Sequence, residues 1–332
     1  MHQTPLANLR VGMQAAVLVL VGVFGASASA APFEDGNLLV STQTGTGSPL
    51  TSNITEYTLS GGAVQTLTVP QPGDEGVRDL VVDAAGALQV FNGTFDPWLS
   101  TYDPFSGAWT GHTFAGWSIV NNGTYGAIAT DGDWIFVTDH ATGGVGDAPQ
   151  GIVRFNRNDF SAERFAMDIE VVDLNIGLNG LLYAIWPTGT PGGLRLCIYE
   201  PASMTLVGTM TLPHLSDGYR AVAADAAGRI YVAGYYGRLV RLSPSGAVEK
   251  STTTSAIGLG PQTVGDMDLA PSGRIVIGTR FGAVLMTDTE FNSENSWQFA
   301  TPGGRQTFVA WVPSHVVPAK TTSWGRLKAL YR

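Results

Sequence analysis

Apolar and polar residues alternate along this chain in short bursts that come in a fixed order. A short apolar run follows a turn glycine each time: "GNLLVST" from Gly36, "GALQVFN" from Gly86, "GDWIFVTD" from Gly132, "GLLYAIW" from Gly180, "GRIYVAG" from Gly228 and "GRIVIGT" from Gly273. Successive glycines are 50, 46, 48, 48 and 45 residues apart. Runs this short, bounded by turn residues, have the length of strands and not of helices. Six copies at this period point to radial repetition of one supersecondary unit.

Each unit has the same anatomy. A strand precedes the glycine, as in "VRDLVVDAAG" (77–86), "YGAIATDG" (125–132), "YRAVAADAAG" (219–228) and "VGDMDLAPSG" (264–273). A second strand follows, and a third runs into a turn such as "YDPFSG", "FNRNDFS", "YEPASM" or "LSPSG". A polar, Thr-rich fourth strand closes the unit, as in "AWTGHTF", "TLVGTMTL", "AVEKSTTT" and "SWQFATP". Asp-Pro, Pro-Ser-Gly and Asn-Asp steps suit tight turns, because proline presets φ and glycine accepts φ > 0. The first unit lacks a strand before Gly36, and the last is followed by a lone strand, "RQTFVAWVP" (305–313). That strand supplies what the first unit lacks, and the ring closes without an exposed edge. The expectation is all-β: a six-bladed β-propeller over residues 31–313, with four-stranded antiparallel blades and a C-terminal strand joining the N-terminal blade.

The D-x-x-G turns at Asp83–Gly86 and Asp225–Gly228, with the runs "RIYVAG" and "RIVIGT", resemble six-bladed propellers of the NHL and SMP-30/gluconolactonase-like superfamily. The resemblance covers roughly residues 33–313 and is specific for the propeller, not for one family within the class. It implies that function sits on loops at one face, around the central channel. Enzymes of the SMP-30 type hold one divalent cation there with carboxylate and amide side chains, and such hard oxygen ligands suit calcium. Glu75, ahead of Gly76, matches the position of that family's ligand glutamate. "SDGYRAVAADAAGRIYVAG" resembles the segment holding its Asp-Gly ligand, which makes Asp217 a second candidate; Asp266 is a third. The match departs where Asp217 lies farther from Asp225 than in the family. The expected asparagine ligands also lack a counterpart, since Asn175 and Asn179 are in a different context.

Composition fits this picture. Of 332 residues, 42 are glycine and only 14% are charged, as expected of a turn-rich β protein. Residues 1–30 read as a signal peptide: Arg10, then the apolar run "VGMQAAVLVLVGVFG", then "ASASA" ending at Ala30. The protein is therefore expected to be exported, to the periplasm, cell surface or medium. No other stretch is long and apolar enough to span a bilayer. The chain carries a net charge of −9, which argues against nucleic acid as a partner. Cys197 is the only cysteine, so no internal disulfide forms, and its apolar neighbours mark a buried thiol. Residues 314–332 form a basic tail with Lys320, Arg326, Lys328 and Arg332 and no acid. Removing these four and Arg10 leaves 13 basic against 27 acidic residues.

Candidate ligand-binding residues are those entering the first strand of each blade: Glu75, Arg78, Tyr125, Glu170, Tyr219, Arg220 and Arg305, with Asp74, Asp168 and Gln306 beside them. No catalytic residue stands out, because no nucleophile elbow, phosphate loop or CxxC arrangement is present. A histidine base of the streptogramin-lyase type would have to be His140, in the glycine-rich "TDHATGGVGDAPQG" with Asp139 and Asp147. Phe95, Trp98, Trp117, Tyr235 and Tyr236 read as loop aromatics able to anchor a partner. These features favour a monomeric, non-catalytic module for a protein, peptide or glycan. A metal-dependent lactonase or a lyase is the alternative.

Overall fold

The computed structural model describes residues 32–44, 51–70, 76–92, 98–113, 126–139, 151–165, 171–187, 194–213, 218–302 and 306–313. They form six four-stranded sheets, all paired antiparallel. Five sheets use consecutive strands, and their innermost strands are Val77–Val82, Ile128–Asp131, Asp173–Ile176, Tyr219–Ala224 and Val264–Leu269 (blades 2 to 6). Blade 1 combines the two ends of the propeller. Val309–Trp311 lies innermost and pairs with Leu38–Thr44, followed outward by Thr51–Tyr57 and Ala63–Thr68. The six innermost strands contact one another in a closed ring. The sequence-derived six-bladed architecture and its closure by a C-terminal strand are both present.

The alternating pattern does its packing between blades. Six separate clusters of buried apolar side chains are present, one at each interface between adjacent blades. Successive side chains of a strand point to opposite faces of its sheet, so each inner strand feeds the cluster on either side. Leu80 and Val82 pack toward blade 1, whereas Val81 packs toward blade 3. Cys197 is buried in the cluster between blades 3 and 4. The outermost strands, such as Val248–Thr253, are largely exposed, which explains their polar composition.

The recurrent D-x-x-G phrase is a turn device. Asp83 Oδ1 accepts the backbone N–H groups of Ala85 (2.8 Å) and Ala87 (3.0 Å), and Gly86 supplies φ of 82°. Asp225 repeats this with Ala227 (3.0 Å) and Arg229 (2.9 Å), and Gly228 has φ of 79°. A short carboxylate satisfies the turn's free donors, and glycine takes the left-handed conformation at little cost.

One expectation fails. Trp98 does not sit in a loop: it opens the strand Trp98–Asp103 and pairs with Asn92 and Thr113. Its neighbours supply the ladder, and an aromatic ring suits a half-buried pleated position. Among the described residues no helix is long and apolar enough to cross a membrane.

Candidate functional site at the channel mouth

Each innermost strand runs from one face of the ring to the other, and its starting end opens on the mouth. Three of these strands begin with an irregular register, between Val77 and Asp79, Tyr219 and Ala221, and Val264 and Asp266. The bulged residues are Arg78, Arg220 and Gly265. A bulge leaves one residue out of the ladder and re-aims its side chain, often beside functional sites. Arg78 is buried there and Arg220 half-buried. Gly265 leaves room for Gln306, whose Cγ would stand only 3.1 Å from a Cβ at that position.

Carboxylates follow two of the bulges, at Asp79 and Asp266, and a third stands at the same position in blade 4. Asp79, Asp173 and Asp266 occupy equivalent positions in blades 2, 4 and 6, each seven residues before its turn glycine. Each carboxylate accepts from the inner strand of the next blade: the N–H groups of Ile128, Val222 and Val309 all donate at 2.7 Å. The partner oxygens of Asp79 and Asp266 accept from Leu80 (2.7 Å) and Met267 (2.6 Å), and Asp173 likewise accepts from Leu174. The innermost strand of a blade has no further strand beside it, so its inward N–H groups need acceptors from elsewhere. Asp268 adds a second layer. It accepts from Trp311 N–H at 3.0 Å and from the Asn175 side chain, which belongs to a blade across the channel.

These acids are held toward their neutral forms. Burial raises the carboxyls of Asp79 and Asp173 well above their ordinary value, and the neighbouring aspartates add to the effect. Asp266 is pushed up to about 7, first by burial and also by Asp268, which is itself raised by burial. Desolvation and like charges both penalise ionisation, and each accepted N–H partly offsets them.

Outside this acidic interior the mouth is cationic and aromatic between blades 5 and 6. Tyr235 follows the second strand of blade 5. Arg220 approaches one side, its guanidinium carbon 4.9 Å from the ring centroid, and Arg280 of blade 6 comes to 5.5 Å. The Tyr235 hydroxyl accepts a hydrogen bond from Arg280 Nη1. The backbone locks the arrangement: Val264 N–H donates to Tyr235 O at 2.9 Å, and Arg280 N–H donates to Thr263 O at 2.9 Å. The Tyr236 ring meets Tyr235 edge-on at 4.9 Å. Tyr219 is buried, and its hydroxyl donates to Pro213 O at 2.8 Å, so it braces the base of the site.

Of the residues singled out from sequence, Arg78, Tyr219, Arg220, Asp266 and Gln306 lie at or just below the mouth. Asp74, Glu75, Tyr125, Asp168, Glu170, Asp217 and Arg305 fall outside the described residues, as do Phe95, Trp117, His140, Asp147 and the tail. Both carboxylate oxygens of Asp266 are engaged by backbone N–H groups. No group of three His, Cys, Asp or Glu side chains able to hold a metal is found among the described residues. Sequence reasoning missed Asp79, Asp173, Asp268 and Arg280. The signal for the first two was present, since an aspartate recurs seven residues before the turn glycine in alternate blades.

No protein-family model and no curated protein matches the chain. Solved structures resemble it in fold. A protein of unknown function from Bacteroides caccae is 13% identical with a TM-score of 0.55, over 84% of this chain and all of the other. A calcium-binding protein, regucalcin from Agrobacterium tumefaciens, is 15% identical with a TM-score of 0.52, over 72% of this chain and 79% of that one. At such identities the likeness establishes the propeller and nothing finer.

Proposed function

We propose that this protein is an exported binding module that takes a protein, peptide or glycan on the face at the channel mouth and performs no chemistry on it. The observation that carries this reading is Tyr235, fixed between Arg220 and Arg280 beside the channel and next to the exposed Tyr236. Rigid aromatics with arginine are the residue types that dominate binding energy at interfaces. The channel below supports the same reading. Its described acids are occupied by backbone donors that hold adjacent blades together, a structural use of groups that an enzyme would leave free for substrate.

The purified protein should be screened on peptide and glycan arrays and, in parallel, against a panel of lactones with added calcium. Saturable binding that falls in Tyr235→Ala, without lactone turnover, is the expected outcome. Metal-dependent turnover lost in Glu75→Gln or Asp217→Asn would replace this reading with the lactonase that the sequence resemblance implies. Export is tested by the N-terminus of the mature protein, expected at Ala31.

A further inference from the structure

The two blades that frame Tyr235 repeat one design. In blade 5 a three-residue turn, Tyr235-Tyr236-Gly237, joins the second and third strands. In blade 6 Arg280-Phe281-Gly282 does the same. Gly237 and Gly282 have φ of 80° and 76°, and Gly237 N–H closes its turn on Gly234 O at 3.0 Å. A tight turn ending in left-handed glycine is a rigid hairpin connection. It places an aromatic ring at the same position of adjacent blades. Tyr236 is 69% and Phe281 71% exposed, more than any other large apolar side chain among the described residues. Large apolar groups held out in water on rigid turns mark an interaction surface.

Arg238 and Arg280, which lie next to or in these turns, belong with Arg195 and Arg274 to the arginines that no carboxylate pairs among the described residues. Arg154, Arg157, Arg164, Arg229 and Arg241 are each paired with a carboxylate. Arg280 instead bonds the neutral hydroxyl of Tyr235, and Arg238, which follows Gly237, reaches only Ser251 Oγ at 3.5 Å. No carboxylate pairs with either among the described residues. Each of the two turns thus joins an exposed ring to an arginine next to it or two residues along the chain, Phe281 to Arg280 and Tyr236 to Arg238, on a chain whose net charge is −9.

Resting on the binding-module reading, we propose that the paired turns of blades 5 and 6 form a docking site for an acidic peptide segment of a partner protein, with its carboxylates on Arg238 and Arg280 and its apolar side chains on Tyr236 and Phe281. Guanidinium groups only donate, so the ligand must bring acceptors, and carboxylates match them in number and plane. A neutral saccharide can accept from these groups through its hydroxyl oxygens, but it brings no negative charge to match theirs. A nucleic acid would set a long run of phosphates against an acidic protein. Arginine clusters reading acidic motifs are a recurrent mode of peptide recognition.

The test is selection of short peptides from a random display library on the full-length protein. Fluorescence anisotropy of the enriched peptides and of their Gln/Asn counterparts would follow. The expected result is enrichment of Asp and Glu beside apolar residues, with binding that weakens as salt rises. Affinity should fall about tenfold or more in Arg280→Gln and in Tyr236→Ala/Phe281→Ala. Phe105→Ala, which removes an exposed ring on the opposite face, should change nothing. The rings are solvent-exposed, so the variants are expected to fold, and their melting curves verify this. Selected peptides without acidic enrichment, unchanged affinity in Arg280→Gln, or no selected peptide at all would each overturn the inference. Array binding of a glycan, or of a peptide insensitive to these variants, would leave the module reading standing without it. Loss of both is a failure of the module reading itself.

Discussion

Asp79, Asp173 and Asp266 each use one carboxyl group twice, on the strand that carries it and on the strand beyond. Removing the group strands two N–H donors at the wall of the channel, and a buried donor left without an acceptor costs about 1–3 kcal/mol. Asp173→Ala is therefore expected to destabilise the protein by at least about 2 kcal/mol, read as a lower denaturant midpoint. A wild-type midpoint would show that the bond from Val222 contributes nothing. The same acids set a pH dependence. The folded protein retains a proton on Asp266 that the unfolded chain releases, so this group's stabilising effect is complete below about 4 and is lost as pH rises through about 7. Asp103, Asp225 and Asp288 are shifted down by hydrogen bonds, and their contribution is lost only as pH falls below the ordinary carboxylate value. His112 is lowered by burial and opposes the channel acids below its own ordinary value, so wild type must be compared with a variant that keeps it. Melting temperatures across mildly acidic to mildly alkaline pH should decline less in Asp266→Asn than in wild type. Parallel curves would show that Asp266 ionises normally in the folded state.

At the scale of the element, the sequence was most informative where one local rule decides the outcome. Alternation around Val90 and Val232, and the glycine at each turn, were enough to place the strands, because a strand's faces and a turn's φ are local properties. The bulges at Arg78, Arg220 and Gly265 were not legible. They depend on how an inner strand meets its partner, and nothing in the residues themselves announces the extra position. Arg280 escaped notice for a similar reason: it is a turn residue whose importance comes from Tyr235, 45 residues away. The closing strand lies between these cases. The tally of strands demanded it, and the structure shows how firmly it is held. Val309–Trp311 pairs with Leu38–Val40 on one side, and on the other its N–H groups reach Asp266 and Asp268. Truncation before residue 305 should therefore lower the melting temperature of the whole molecule or abolish cooperative unfolding. Truncation after residue 313 should leave the melt unchanged. Equal melts for the two truncations would refute a ring whose last strand is structural.

For the molecule as a whole, closure gathers distant acids into one channel and changes what they are. Asp79, Asp173, Asp266 and Asp268 come from three alternate blades, and each of the first three is made costlier to charge by another of the four. An isolated cluster of this kind would attract a divalent ion. Here each oxygen of the three alternating aspartates already accepts an N–H from the same or the following blade, and burial holds the groups toward their protonated forms, which are poor cation ligands. The channel is therefore expected to be indifferent to calcium. A single ion at 100 times its dissociation constant would add about 2.7 kcal/mol. At about 2–4 °C per kcal/mol for a domain this large, the melting temperature would rise by some 5 °C or more. The measurement is a melt after chelation and again with excess calcium, and the expected difference is none. A clear rise would place an ion in the molecule. If Asp266→Asn then abolished it, the channel acids would be its ligands and their role as blade clasps would be secondary. If Glu75→Gln or Asp217→Asn abolished it, the ion would sit at the mouth, above acids that remain engaged with the backbone.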